Sequence, residues 1–184
     1  MENKNRVCPV ERAGGLDSSF RKLLHNPRKI LEPYIKPGMT VLDLGCGPGL
    51  FTVEIAKMLN GSGKVIAADL QAGMLEIVSQ KIKGTDLEKL VVIHKCEADK
   101  VGVTEQVDLV LAFYMMHEVP ERIRILKELK AILKPGGKIY IVEPKFHVSA
   151  GEFEEMIKKI QELGFEIINR PKVFWSRSVL LTIK

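Results

Sequence analysis

Two carboxylates and one glycine-rich turn are the residues of this chain best suited to chemistry. Asp43-Leu44-Gly45-Cys46-Gly47-Pro48-Gly49 ends one apolar run, and Asp69 ends the next, 20 residues past Gly49. Glycines at alternate positions let the backbone approach a ligand closely and take up positive φ. A helix that starts there directs its positive N-terminal end at the same place. An acidic residue about 20 positions further on accepts hydrogen bonds from ribose hydroxyls. The turn alone would also suit a tight strand-to-helix connection with no ligand; with Asp69 it points to nucleoside binding. The spacing is G-x-G-x-G, not the G-x-G-x-x-G that seats a pyrophosphate on a helix N-terminus. Asp43 puts a further carboxylate beside the ligand. It would repel a pyrophosphate and attract an ammonium group, so a cationic nucleoside is expected rather than a dinucleotide.

A second group follows two later apolar runs: Tyr114, Met115, Met116, His117 and Glu118, then Glu143, Lys145 and His147. His117 is the best candidate for a general base, with capping of the next helix or a polar niche as the alternative. Glu143 either faces a substrate or is a solvated strand end beside Pro144. Met115 and Met116 suit core or pocket lining. Arg21, Lys22, Arg28 and Lys29 could meet an anionic substrate or form a solvated helix face.

The elements that must hold these residues alternate. Strand-like runs fall at residues 39–44, 64–69, 90–94, 107–113 and 138–142. Helix-period segments fall at 50–59, 74–82, 121–133 and 152–163. Such alternation predicts an α/β fold with a mostly parallel sheet, in which ligands bind beyond the carboxyl ends of the strands. Residues 165–168 and 179–183, with no helix between them, predict an antiparallel pair. Asn26-Pro27 predicts a helix start, with that helix stopping near Lys36-Pro37-Gly38. Residues 134–137 (KPGG) read as a turn. Before Asn26, Arg12 to Gly15 reads as a loop, and Asp17 or Ser18 could cap a short helix carrying Phe20, Leu23 and Leu24.

At 184 residues, the chain suits one folded domain with a real core. No apolar run approaches the ~20 residues of a membrane span, so no membrane partner is expected. No apolar stretch follows Met1 to Arg6, so no signal peptide is expected. The three cysteines, Cys8, Cys46 and Cys96, are an odd number without a CxxC pair. That argues against a disulfide framework and for the cytoplasm. The net charge of +5 is modest for a dedicated nucleic-acid binder, and neither nucleic acid nor a metal site is expected.

Residues 41–49 (VLDLGCGPG) resemble the first motif of the class I S-adenosylmethionine-dependent methyltransferases. The resemblance, to a small single-domain type 11-like member, extends over about residues 37–184. Val107-Asp108-Leu109-Val110-Leu111 resembles the family's fourth-strand motif, and Leu133-Lys134-Pro135-Gly136-Gly137 its turn. The resemblance implies a Rossmann-like, doubly wound seven-stranded mixed sheet of order 3-2-1-4-5-7-6 with strand 7 antiparallel. It implies S-adenosyl-L-methionine as cofactor. Asp43, Gly45, Cys46, Gly47 and Gly49 would hold the methionine side, and Asp69 the ribose. Leu70 and Ala98 would line the adenine slot, and Ala112 and Phe113 would flank the transferring methyl. Cys96-Glu97-Ala98-Asp99 stands where the family has Gly-Asp-Ala, which makes Glu97 the acceptor from the adenine amino group.

The expected function is therefore methyl transfer to a small-molecule acceptor by in-line displacement. His117 and Glu143 are the candidate catalytic residues, and residues 1–36 an arm and lid on a methyltransferase domain of residues 37–184. No Asn/Asp-Pro-Pro-Tyr/Phe follows strand four, which disfavours amino methylation of adenine or glutamine. Three alternatives stay open. One is metalloid methylation through Cys8, which would resemble arsenite methyltransferases. Another is methylation of RNA or protein, and the third is cofactor binding without turnover. A homodimer over the substrate face is a further possibility.

Overall fold

The computed structural model describes residues 25–184. Asn26 caps α1 (Pro27–Leu31), its side chain accepting from Lys29 N at 3.1 Å. The helix stops five residues short of the expected Lys36. Pro33 explains this: it lacks the amide donor that would carry the helical hydrogen-bond ladder on, although Glu32 before it keeps helical backbone angles.

The remaining elements alternate as expected: β1 (Thr40–Leu44), α2 (Leu50–Met58), β2 (Lys64–Asp69), α3 (Ala72–Ile82), β3 (Val91–Lys95), β4 (Val107–Phe113), α4 (Arg122–Ile132), β5 (Leu133–Pro144), α5 (Ala150–Glu162), β6 (Phe165–Asn169) and β7 (Ser176–Ile183). The sheet order is β3-β2-β1-β4-β5-β7-β6. β1 to β5 pair in parallel, and β7 runs antiparallel to both β5 and β6. The order, the strand count and the reversed strand all match the sequence expectation.

Three boundaries differ for physical reasons. Residues 134–137 lie inside β5: Val107 pairs with Leu133 and Leu109 with Lys138, so the KPGG turn bulges out of a continuous strand. β7 starts at Ser176 because Ser176 and Arg177 pair with Pro144 and Glu143 of β5, a pairing that apolar periodicity cannot register. α5 starts at Ala150 because Ser149 and Glu152 form a reciprocal capping box.

The sheet is covered on both faces, so successive strand residues feed two cores. Leu42 and Leu44 face α4 and α5 through Ile125, Leu129, Phe153 and Ile157. Val41 faces α1, α2 and α3 through Leu31, Ile55, Leu59 and Val78. The described part of the N-terminal arm thus enters the second core, where Tyr34 also meets Tyr140 edge-on at 5.2 Å. Below the site, Asp108 ties the sheet together, accepting from Thr40 N and Lys134 Nζ, each at 2.7 Å. Among the described residues, no helix is long and apolar enough to cross a membrane.

Candidate functional site

β1 pairs with β2 on one side and β4 on the other. The direction of chain winding therefore reverses at β1, and the loops beyond β1, β2, β4 and β5 open over one crevice. Gly45, Gly47 and Gly49 all have positive φ, from 52° to 86°. A Cβ added at Gly45 would lie 2.8 Å from Met115 Cβ, and one at Gly49 would lie 2.9 Å from Val78. A Cβ at Gly47 would meet no described residue within 4 Å. Two of the glycines thus let the loop sit tight against its neighbours, and the middle one borders open space.

Asp69 governs the loop. Its Oδ2 accepts from Gly47 N at 2.9 Å and its Oδ1 from Gln71 N at 2.8 Å. Each oxygen retains a second acceptor position for a hydroxyl donor. The side chain is buried, and burial raises its pKa. Asp43 lies on the same side of β1 as Val41 and is also buried. Its Oδ2 accepts from Thr52 Oγ1 of α2 at 2.6 Å. Burial lifts its pKa to about 7, against the Thr52 hydrogen bond and with help from the Asp69 charge. An acid in that state gains most from a cation beside it.

Cys46 and Cys96 are buried free thiols. Burial raises Cys96 to about 12 and Cys46 well above its ordinary value. Burial thus disfavours the thiolate at both positions. Cys8 lies outside the described residues, as do the expected loop at Arg12 to Gly15 and the helix at Phe20 to Leu24.

Ala112 pairs with Leu44 of β1, which sets it beside the glycine loop. Phe113 stacks between Phe51 and Tyr114, with ring centroids 4.3 and 4.5 Å away. Leu70 is half-buried, directly after Asp69, whereas Glu97 and Ala98 are exposed. Glu97 and Lys100 close a tight turn through their backbones. That turn leads into residues 101 and 102, whose amides donate to Glu128 Oε2 at 2.9 and 3.2 Å.

His117 and Glu143 meet, although 26 residues separate them. Glu143 is fully buried near the end of β5. Its Oε2 lies 2.5 Å from His117 Nδ1, and its Oε1 accepts from Met116 N at 2.9 Å. A carboxylate can only accept, so the network puts the imidazole proton on Nδ1 and leaves the lone pair on Nε2. No described residue bonds that Nε2. Glu143 is therefore not a solvated strand end, and its carboxylate also pins the loop that carries His117. His147 stacks on His117 at 5.4 Å and 13°.

Sequence reasoning missed three neighbours of this site. Thr52 partners Asp43. His25 Nε2 lies 3.0 Å from the Tyr114 hydroxyl, and that hydroxyl lies 2.6 Å from Ser176 Oγ. Tyr114 itself has φ of 61°, a left-handed conformation that an aromatic residue seldom takes. His25 and Ser176 carry no motif, and only the pairing of distant segments brings them here.

A family model described as a methyltransferase domain matches residues 41–137, over half of the chain. The chain belongs to this methyltransferase family. It is 34% identical over 130 residues to a demethylmenaquinone methyltransferase of Lactobacillus johnsonii, covering 70% of this chain and 51% of that protein. It is 29% identical over 109 residues to one of Bacillus cereus, covering 59% and 46%. The chain spans about half the length of the curated relatives it matches. Among solved structures, a SAM-dependent methyltransferase from Aquifex aeolicus superposes with a TM-score of 0.85 at 28% identity, covering 97% of this chain and all of that one. A second, from Methanococcus maripaludis, has a TM-score of 0.78 at 19% identity, covering 100% and 97%, and shares the fold.

The family's cofactor is S-adenosyl-L-methionine, and the residues present fit it. Open space at Gly47 accommodates a ligand, and Asp69 has acceptor positions for a diol. Asp43 offers a carboxylate whose ionisation a cation would favour. A pH dependence follows. Below pH ~7 a cationic ligand must displace the proton on Asp43, and above it the site is already charged. Affinity for S-adenosyl-L-methionine should therefore rise with pH, by at most about tenfold per unit below 7 for one proton, and level off above it. Asp43→Asn should abolish that rise; calorimetry between pH 5.5 and 7.5 would measure both.

The unliganded fold should respond in the opposite sense. A carboxyl with its pKa raised from 3.8 to about 7 on folding loses stabilisation as pH climbs through that window.

Proposed function

We propose that this chain transfers the methyl group of S-adenosyl-L-methionine to a small hydroxylated aromatic acceptor, with His117 as general base. The observation that carries the proposal is the His117–Glu143 pair at the carboxyl end of β4 and β5, beside Ala112 and Phe113. When bound, the cofactor supplies an electrophilic methyl group on a sulfonium, with a neutral thioether as leaving group. The protein then has to position, exclude water and take a proton.

Asp43, the Gly45–Gly49 turn with Cys46 and Gly47, and Asp69 with Leu70 hold the cofactor. Glu97 and Ala98 border its adenine end. His117 Nε2 takes the hydroxyl proton of the acceptor as the new bond to the methyl carbon forms. Glu143 keeps the proton of His117 on Nδ1 and stabilises the imidazolium that results. The relatives named for demethylmenaquinone, a quinone whose reduced form is a ring diol, support a small ring compound as acceptor. His25, bound to Tyr114, supports a role for residues 1–36 as a cover of the site. The buried free thiols suit a reducing compartment such as the cytoplasm.

Methyl-labelled S-adenosyl-L-methionine would be incubated with the protein and a size-fractionated cell extract, alongside hydroquinone and catechol acceptors and one tube with arsenite and thiol. Label in the low-mass fraction and on a phenolic acceptor is expected. Label only with arsenite, or in RNA or protein, would overturn the proposal, as would cofactor binding with no label anywhere.

A further inference from the structure

Phe146, Trp175 and Phe174 are the most exposed large apolar side chains of the described residues, at 66%, 64% and 53%. They come from two separate loops, one after β5 and one between β6 and β7. Lys145 N donates to Trp175 O at 3.0 Å, which ties the loops into one surface. That surface is continuous with the candidate site. Phe146 lies 4.9 Å from His147, which stacks on His117, and 6.4 Å from Tyr114.

Trp175 has φ of 48°. Left-handed backbone is a real outlier for so bulky a residue, and core packing does not offset it, since the ring points to solvent. The two loops themselves carry only positive side chains, with Glu152 and Glu154 following at the start of α5. Segments 144–151 and 169–178 hold Lys145, Arg170, Lys172 and Arg177 and no Asp or Glu. Arg170 is paired with Glu154, whereas Lys145 and Lys172 are exposed and hold no ion pair with a described residue.

Exposed aromatic rings beside two exposed lysines match the interface of a bilayer containing anionic lipid. Amphipathic rings settle at the headgroup level there, and each nearby lysine is drawn to the negative surface. We infer that the Phe146–Phe174–Trp175 surface docks on an anionic membrane and opens the acceptor site toward it. This needs no spanning helix, so it revises the expectation of no membrane partner, which rested only on the lack of a span. It stands apart from the identity of the acceptor.

Trp175 is the single tryptophan of the chain, so its emission reports on this surface alone. The full chain would be titrated with vesicles of phosphatidylcholine containing phosphatidylglycerol, and with phosphatidylcholine alone, by fluorescence and by sedimentation. A blue shift with the anionic vesicles, reversed by salt, is expected. K145Q/K172Q, made at exposed positions, should weaken partitioning about thirtyfold, from about fivefold per lysine near the surface. F146S/F174S should lose the blue shift. Unchanged Trp175 emission and soluble protein at low salt would overturn the inference. So would sedimentation velocity showing a dimer that F146S/F174S dissociates, since the patch would then belong to a second copy. Failure of the methyl-acceptor proposal would leave the fluorescence result untouched.

Discussion

His117→Ala should lower kcat by about 10²–10⁴-fold, the range that general-base catalysis contributes, while calorimetric affinity for S-adenosyl-L-methionine stays unchanged. The pair that motivates this has the hydrogen-bond geometry that the proposed proton transfer needs. Glu143 is fully buried, and a buried carboxylate is costly unless hydrogen-bonded. It bonds the Met116 amide with one oxygen and His117 Nδ1 with the other. Glu143→Gln should cost nearly as much as His117→Ala, because an amide can donate to Nδ1 and move the imidazole proton to Nε2. A loss of loop order could imitate either result. An acceptor already ionised at the assay pH separates the two, since it needs no base. His117→Ala should regain most of its rate with such an acceptor, and an equal deficit with both acceptors would remove the base role.

Asp69→Ala should weaken cofactor binding by about 100-fold. Hydrogen bonds to charged groups are worth about 1.5–3 kcal/mol each, and about 1.4 kcal/mol is tenfold in affinity. Asp69 holds two such bonds, to Gly47 and Gln71, so its loss removes a proposed ribose ligand and also loosens the glycine loop. Asp69→Asn should fall between the two. Its amide keeps one acceptor oxygen but turns an NH2 toward the Gly47 or the Gln71 amide. Calorimetry would measure the series, and an unchanged affinity in Asp69→Ala would remove Asp69 from the site.

The legible parts of the protein were those written in local pattern. Strand-helix alternation, buried runs such as residues 107–113 and the glycine turn ending in Asp69 depend on residues near one another in sequence. Short-range sterics and period decide them. Two strand boundaries were set by another segment. β7 reaches Ser176 because Glu143 and Pro144 offer it a partner, and the KPGG turn became a bulge because β4 pairs on both sides of it. The early stop of α1 is by contrast local, since Pro33 lacks the amide that would continue the helix.

The sequence by itself determined the fold class, the strand order implied by its family resemblance, and the glycine turn and two acids proposed for the cofactor. There, glycines and acids act through their own backbone and charge at fixed spacing along one βαβ unit. Tertiary structure alone decided the end proposed for the acceptor. Joining His117 to Glu143 or His25 to Tyr114, and gathering Phe146, Phe174 and Trp175 into one surface, required distant segments to pack. No local periodicity encodes such contacts, because each side chain's partner and exposure are set by which strands become neighbours.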